Sequence, residues 1–190
     1  MNNSHGQRTR KIGEMLEPKI EKIKEEYPGL LMFYDHGSPK SESVHRANAY
    51  MGRRYGRDAT LSEVDLVFVY RGKAFLLVEV EESKVSPKTI LGDTFGVILA
   101  SRIHISGESY PIHNATLVTA ITVGNRGKRK AKYVRLDRLL QKFLYALRQT
   151  KKGTSVAKIR IVTSNKDDLV RRCERLIRLV VGKGIAAESV

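Results

Sequence analysis

Four carboxylates stand at the ends of two strand-forming runs in the middle of the chain. They are Glu63, Asp65, Glu79 and Glu81, and the runs cover residues 64–70 and 74–80. Like charges opposite each other in a β ladder destabilise it by about 0.2–1 kcal/mol per pair, so a protein that keeps them together protonates one of them or binds a cation. Carboxylate oxygens, with no histidine or cysteine in the stretch, favour Mg²⁺ or Mn²⁺ over zinc. We expect a divalent metal site, and the alternative is a hairpin end whose acids simply face water.

The register of the hairpin decides whether these acids meet. Residues 71–73 (Arg-Gly-Lys) predict a three-residue loop, because the glycine suits the bend that such a loop needs. Counting back along the ladder from that loop sets Asp65 opposite Glu79. The same count sets Glu63 opposite Glu81, on the same face of the sheet. A two-residue loop would instead put Asp65 and Glu79 on opposite faces.

This spacing has a known parallel. Asp65 is followed by thirteen intervening residues and then by Glu79-Val80-Glu81 at the end of an apolar strand. The pattern resembles the core motif of the PD-(D/E)XK nuclease superfamily, over about residues 40–125. The resemblance implies an αβββαβ core, cleavage of DNA, and a Mg²⁺ or Mn²⁺ ion held by Asp65 and Glu79.

One position departs from the family pattern. The usual lysine of the motif falls at Glu81. Some members of the family carry glutamate there, so the resemblance still allows activity and leaves open which group activates the water. Lys84 and Lys88 lie just downstream and are the candidates to replace the missing positive charge.

Further ligands are expected around the pair. Glu81 and Glu63 are candidates as metal ligands or as a base oriented towards the water, and strand geometry places the backbone carbonyl of Val80 near the same cluster. Family members often carry another acid on the helix before the sheet. Glu42, or less well Glu14, would occupy that place.

The balance of charge indicates a polyanionic partner. The chain has 35 basic and 20 acidic side chains, a formal net charge of +15, which costs stability through self-repulsion and favours binding to nucleic acid. A solubility surface and association with acidic lipid are the alternatives. The candidate DNA contacts are Arg46, Arg53, Arg54 and Arg57 before the hairpin, and Arg126, Lys128, Arg129, Lys130 and Lys132 in a later basic loop. For that loop alone a solvated turn remains an equal alternative.

The remaining composition is that of an ordinary globular chain. Its 190 residues, 41% of them hydrophobic, are expected to form one domain, 1–190. We expect no membrane span, no secretory signal and a cytoplasmic location, because the first thirty residues are polar and no apolar run reaches eighteen residues. Cys173, the only cysteine, falls on an apolar stripe and is interpreted as a core residue. No glycine-rich phosphate loop with its lysine occurs, so no nucleotide cofactor is expected.

Periodicity along the chain predicts an α/β fold with a mixed sheet flanked by helices. A helical N-terminal segment over 8–27, kinked or restarted at Pro18, precedes a strand over 30–34. A helix from Ser38 or Ser41 to about Arg54 then leads into the hairpin. The remaining elements are a helix opened by Ser86-Pro87, a strand over 115–123, and a C-terminal helix–strand–helix within 133–182 whose last helix is capped by Ser164.

Three functions are compatible with these features. The first is a Mg²⁺-dependent endonuclease that hydrolyses phosphodiester bonds in DNA. The second is a nucleic-acid-binding module of the same fold that has lost turnover because of Glu81. The third is a basic protein that assembles with other subunits. A homodimer is expected on family grounds only.

Overall fold

A computed structural model describes residues 4–35, 42–52, 54–82, 85–122, 131–150 and 153–187. The side chains of residues 4–5, 57, 82, 122 and 183–187 are not described. The elements in chain order are α1 Ser4–Glu26, β1 Leu30–Tyr34, β2 Ala47–Tyr50, a 3-10 turn Arg57–Ala59, β3 Thr60–Val64, β4 Leu66–Tyr70, β5 Lys73–Glu82, α2 Pro87–Leu99, β6 Arg102–Ile105, β7 Glu108–Thr122, α3 Ala131–Arg148, β8 Val156–Ser164 and α4 Lys166–Ala187. Within these ranges no helix is long and apolar enough to cross a bilayer.

Two sheets share the long strand β7. The central sheet runs β1-β4-β5-β7-β8; its β5, β7 and β8 are parallel, whereas β4 is antiparallel to both β1 and β5. The first residues of β7 also pair with β6, which continues to β2 and β3 with every pair antiparallel. The predicted mixed sheet is therefore confirmed, and the second group of strands extends it.

Helices cover both faces of the central sheet. On one face α1 and α4 contribute a stripe of buried side chains that includes Ile12, Leu16, Leu169 and Ile177. On the other face α2 packs against β2, β3 and β7, and α3 packs against β8, within one buried cluster. Cys173 belongs to the first of these cores, where burial raises the pKa of its thiol to about 12, so its prediction as a core residue is confirmed. The three-layer arrangement buries the apolar runs of β4 and β5 on both sides.

The helix predicted to end near Arg54 is wrong. Residues 42–43 form a turn, and 47–50 are strand β2, hydrogen-bonded to β3 on one side and β6 on the other. Ala47 and Ala49 alternate inwards with a period of two, while Met51 is 60% exposed. Short apolar residues fitted a helical spacing, but pairing with two strands that are distant in sequence determines the structure here.

The hairpin reaches the predicted register by a different route. Tyr70 pairs with Lys73, so the loop has two residues, Arg71 and Gly72, both with positive φ (50° and 72°). The predicted three-residue loop is therefore wrong. One extra residue, Phe75, then shifts the ladder as a β-bulge between the pairs Val69–Ala74 and Phe68–Leu76.

Beyond the bulge, Leu66 pairs with Val78, and continuing that register by one residue sets Asp65 opposite Glu79. The shortened loop and the bulge thus cancel, and the two acids share a face. The predicted partner of Glu63 is wrong. Glu63 lies in β3 and pairs with Asn48 of β2, because β3 and β4 belong to different sheets.

Of the two predicted helix caps, one is observed and one is wrong. Ser86 caps α2, accepting a hydrogen bond from the Thr89 backbone at 3.1 Å, with Pro87 at the first helical position, as predicted. Helix α1 is continuous through Pro18, so it does not restart there. The cap of α4 is Asn165 rather than Ser164: the Asp168 backbone N–H donates to Asn165 Oδ1 at 2.8 Å, and Ser164 ends β8.

Candidate active site

A cavity of about 300 Å³ lies where β3, β4, β5 and α2 meet. Six carboxylates line it: one follows β1, one is in β3, one separates β3 from β4, two are in β5 and one is in α2. The full lining is Asp35, Leu61, Ser62, Glu63, Val64, Asp65, Glu79, Glu81 and Asp93. The chain thus gathers the four acids predicted from the sequence, Glu63, Asp65, Glu79 and Glu81, together with two that were not predicted.

Two donors hold the Asp65 carboxylate in place. Its Oδ2 accepts the backbone N–H of Val80 at 2.8 Å, and its Oδ1 accepts the hydroxyl of Thr9 at 3.1 Å. Thr9 is a fully buried residue of α1, so the helix in front of the sheet contributes directly to this acid. Because N–H and C=O of one strand residue point to the same side, the Val80 carbonyl also points towards Asp65, as its candidacy as a ligand requires.

Glu79 is the buried acid of the cavity. It is 6% exposed, and its Oε1 has no hydrogen-bond partner in the described part of the chain. Burial raises the pKa of Glu79 well above its ordinary value, and the nearby carboxylates of Asp65, Asp93 and Glu81 raise it further. A hydrogen bond from the Asp65 backbone lowers the pKa by less. The site therefore either protonates Glu79 or places a cation beside it.

Two acids escaped prediction, each with a signal in the sequence. Asp35 directly follows β1, and because β1 pairs with β4 its backbone N–H reaches the Asp65 carbonyl at 3.1 Å. Asp93 lies in α2, a helix that was predicted from the sequence without a role for this acid. Asp93 could have been predicted from its position, because it is an acid in the helix that directly follows an acidic strand end.

Arg46 lies at the rim of the cavity. Its Nη1 is 3.3 Å from Glu63 Oε1 and its Nε is 3.9 Å from Asp35 Oδ2, while its side chain is 60% exposed. Glu63 is therefore paired with an arginine at the rim. Among the predicted DNA contacts whose side chains the structure describes, Arg46 is the one that pairs with acids of the cavity, two of the six.

Other predicted residues lie apart from the lining. Glu42 is exposed in a turn, Glu14 is exposed and pairs with Arg10 at 2.7 Å, and Lys88 is exposed in the first turn of α2. Arg54 is exposed between β2 and β3. Lys84, Arg53, Arg126, Lys128, Arg129 and Lys130 lie outside the described residues, as does the side chain of Arg57.

Lys132 is fixed close to the end of β5. Its Nζ donates to the Val85 carbonyl at 3.3 Å and lies 4.6 Å from the centre of the Tyr133 ring. The Tyr133 hydroxyl donates to the same carbonyl at 3.2 Å. The start of α3, and with it this lysine, is therefore attached to the segment that follows the acidic end of β5.

The donor chemistry of the cavity suits a divalent cation in part. Among the residues that the structure describes, no three acidic, histidine or cysteine side chains form a group that could hold a metal ion. Mg²⁺, however, is commonly bound by one or two carboxylates, with water and substrate phosphates completing its octahedron. Asp65 and Glu79 supply two carboxylates on one face, and the partnerless Oε1 of Glu79 is an oxygen that a cation would satisfy.

No protein-family model, curated protein or solved structure matches this chain.

Proposed function

We propose that the protein is a Mg²⁺- or Mn²⁺-dependent endonuclease that hydrolyses phosphodiester bonds in DNA. The observation that carries the proposal is the buried Glu79, whose Oε1 has no hydrogen-bond partner among the described residues and which lies beside the carboxylates of Asp65, Asp93 and Glu81. Such a cluster is unfavourable unless a proton or a cation occupies it. A cation bound there would be coordinated by the carboxylate oxygens, and this attraction would offset the repulsion between the acids.

The order of the elements supports a nuclease of the suspected superfamily. If strands β2, β3 and β6 are treated as insertions, the elements before α3 follow the order α1, β1, β4, β5, α2, β7. This is the αβββαβ order that the resemblance implies. Asp65 directly precedes the second of these core strands and Glu79 lies near the end of the third, in the order that the motif implies.

Each acid has a distinct place in the proposed chemistry. A bound Mg²⁺ would polarise the phosphoryl oxygen and offset the charge that develops there. Asp65 is oriented by Val80 and Thr9 before any substrate arrives. Glu81 follows Glu79 by two residues on the same face of β5 and is less buried, so in this proposal it accepts a proton from the attacking water.

One cation pairs with acids of the cavity and a second is held beside the segment that follows β5, which suits contacts with a phosphate backbone. Arg46 stands at the rim next to Glu63 and Asp35. Lys132 is fixed beside Val85, on the segment that follows β5. In this proposal both side chains contact phosphates adjacent to the one that is cleaved.

The proposal is tested by incubating the protein with linear, supercoiled and branched DNA, with Mg²⁺, with Mn²⁺ or with EDTA. We expect cutting only with the divalent ion, and we expect Asp65→Asn to abolish it. Asp167→Asn, an exposed aspartate of α4 outside the cavity, is the control and should cut normally. Binding without cutting would identify a binding module, and neither binding nor cutting would overturn the proposal altogether.

Thr9→Val is expected to slow cleavage about 10- to 150-fold through the loss of one hydrogen bond to a charged acceptor, worth about 1.5–3 kcal/mol. The Thr9 hydroxyl donates to Asp65 Oδ1, so the substitution loosens the acid without removing it. Because Thr9 positions Asp65 and does not contact DNA, kcat should fall while KM for DNA stays constant. Thr9→Ser, which keeps the hydroxyl, should restore kcat; equal kcat in the valine variant would contradict this role.

A further inference from the structure

A second cavity, of about 410 Å³, lies between β7, β8 and α4. We call it the basic groove. Its lining is Thr116, Val118, Asp137, Lys158, Arg160, Ile161, Val162, Arg172, Arg175 and Leu176. Val118 and Val162 pack with the core beneath α1 and α4, so the groove opens on the face of the sheet opposite to α2 and the acidic cavity.

Cations in the groove outnumber acids by four to one. Arg172 donates to Asp168 at 2.9 Å. Lys158, Arg160 and Arg175 form no ion pair with any acidic side chain of the described ranges, and all three are exposed. Their mutual repulsion lowers the stability of the free protein and is relieved when an anion binds between them.

The one acid of the groove has a structural role. Asp137 Oδ1 accepts the backbone N–H of Ile161 at 2.7 Å. Further along β8, Arg148 donates to the Ala157 carbonyl at 3.4 Å. Two backbone groups on the outer edge of β8 are therefore occupied by side chains of α3, which disfavours an added β-strand as the occupant. A second copy of the chain is disfavoured as well, because it carries the same net charge of +15.

The spacing of the cations suits a phosphate backbone. Lys158 and Arg160 are two residues apart on one face of β8, which separates their Cα atoms by about 6.6 Å. Phosphates of one duplex strand advance about 3.4 Å per nucleotide along the axis, so two nucleotides span nearly the same length. Arg175 of α4 supplies a third cation, and the apolar side chains Val118, Val162 and Leu176 also line the groove.

We propose that the basic groove binds the phosphodiester backbone of a nucleic acid as a second site, separate from the acidic cavity; that the nucleic acid is DNA rests on the proposed function. Val118, which lines the groove, pairs with Val78 of β5 in the register that also pairs Thr119 with Glu79. The two sites therefore lie at the same level of the sheet but on opposite faces. A DNA molecule that reaches both must pass around an edge of the sheet or present two separate segments, so a longer or branched molecule binds more tightly than a short duplex.

The test compares two variants that each lose three positive charges. The groove variant is Lys158→Gln/Arg160→Gln/Arg175→Gln. The control variant is Lys11→Gln/Lys22→Gln/Lys73→Gln, whose residues are equally exposed and lie outside the groove. Fluorescence anisotropy with labelled 15- and 40-base-pair duplexes in EDTA, over a series of salt concentrations, reports the affinity without hydrolysis. Thermal unfolding checks that both variants are folded.

We expect the groove variant to bind the longer duplex at least tenfold more weakly, and the slope of log Kobs against log[salt] to become less steep by about 2–3, one contact per removed cation. The control should change affinity by less than about threefold. Equal losses in the two variants would mean that only net charge matters, and would overturn the groove. So would a poly-glutamate peptide that competes as well as DNA of the same charge.

Failure of the nuclease proposal gives a different result. If the wild-type protein binds DNA in EDTA but never cuts it with Mg²⁺, the nuclease proposal is refuted. The comparison of the two variants then still tests whether the basic groove binds DNA. If the wild-type protein cuts DNA and both variants bind DNA as tightly as the wild type, the nuclease proposal holds and the basic-groove proposal is refuted.

Discussion

Glu79→Gln will make the metal-free protein more stable at neutral pH and will abolish cleavage of DNA. The wild-type glutamate lowers the stability of the metal-free protein at neutral pH, because burial and three neighbouring carboxylates raise its pKa well above the ordinary value. Glutamine keeps the shape and has no charge to desolvate. Each unit by which the folded pKa exceeds the unfolded pKa corresponds to about 1.4 kcal/mol of lost stability once the pH is above both values.

The pH dependence has a definite sign. Between the unfolded pKa of Glu79, about 4.5, and its raised folded pKa, the folded state holds a proton that the unfolded state has released. The free energy of unfolding of the wild type therefore decreases, through this group, as pH rises across that interval. Below pH 4 the contribution of Glu79 vanishes, and wild type and variant should be equally stable in this respect.

Thermal unfolding in EDTA from pH 4 to pH 9 measures the effect. The variant should gain about 2–4 °C in Tm for each kcal/mol, with the gain appearing above pH 4.5. Glu25→Gln, at an exposed position of α1, is the control and should show no such gain. In the cleavage assay Glu79→Gln should lose about 10³-fold or more, corresponding to some 4 kcal/mol at the transition state. A variant that is less stable at pH 7, or that still cuts DNA, would refute the role given to Glu79.

Gly96→Ala is expected to destabilise the protein by about 1–3 kcal/mol or more, because the added methyl group has no room. A Cβ at Gly96 would lie 2.7 Å from the Leu61 carbonyl oxygen and 2.9 Å from Ser62 Cβ. Helix α2 therefore rests directly on β3 at this glycine. Leu61 and Ser62 also line the acidic cavity, so the substitution forces α2 and its Asp93 away from the other acids.

Gly92→Ala is the matched control, one turn earlier in the same helix. A Cβ at Gly92 meets nothing within 4 Å, so alanine there should stabilise α2 by about 0.5–1 kcal/mol through its better helix propensity. Urea unfolding of the two variants separates the steric cost from the propensity, since both replace a helical glycine with alanine. The prediction fails if Gly96→Ala is as stable as Gly92→Ala.

Much of the fold follows from local patterns in the sequence. Strand β1 was predicted with its observed bounds, and the start of α2 was predicted from Ser86-Pro87 because capping is a local interaction. The C-terminal helix–strand–helix was expected within 133–182, and α3, β8 and α4 form it within 131–187. Each of these elements has a strong period of its own, so its structure does not depend on distant partners.

Strands β2, β3 and β6 escaped prediction because their pairing is determined at long range. Ala47 and Asn48 have weak intrinsic preference for a strand, and they become one by hydrogen bonding to β3 and β6. The same dependence hid part of the candidate site. Asp35 and Asp93 join the acids only when β1 pairs with β4 and α2 crosses β3.

The hairpin illustrates how a correct expectation can rest on a wrong intermediate. The loop was expected to be one residue longer than it is, and the bulge at Phe75 was not expected at all. The two errors are of equal size and opposite direction. Asp65 and Glu79 therefore share a face as predicted, while the chain path between them differs from the one inferred from the sequence.

Because of that cancellation, the length of the turn and the bulge together determine which face of the sheet the acids occupy. Lengthening the turn by one residue, or deleting Phe75, would each rotate the acids of one strand to the reverse side of the sheet. Making both changes at once would bring them back. Homologous chains with a turn one residue longer should accordingly lack the extra residue in β5, so that a short turn with a bulge and a longer turn without one replace each other in evolution.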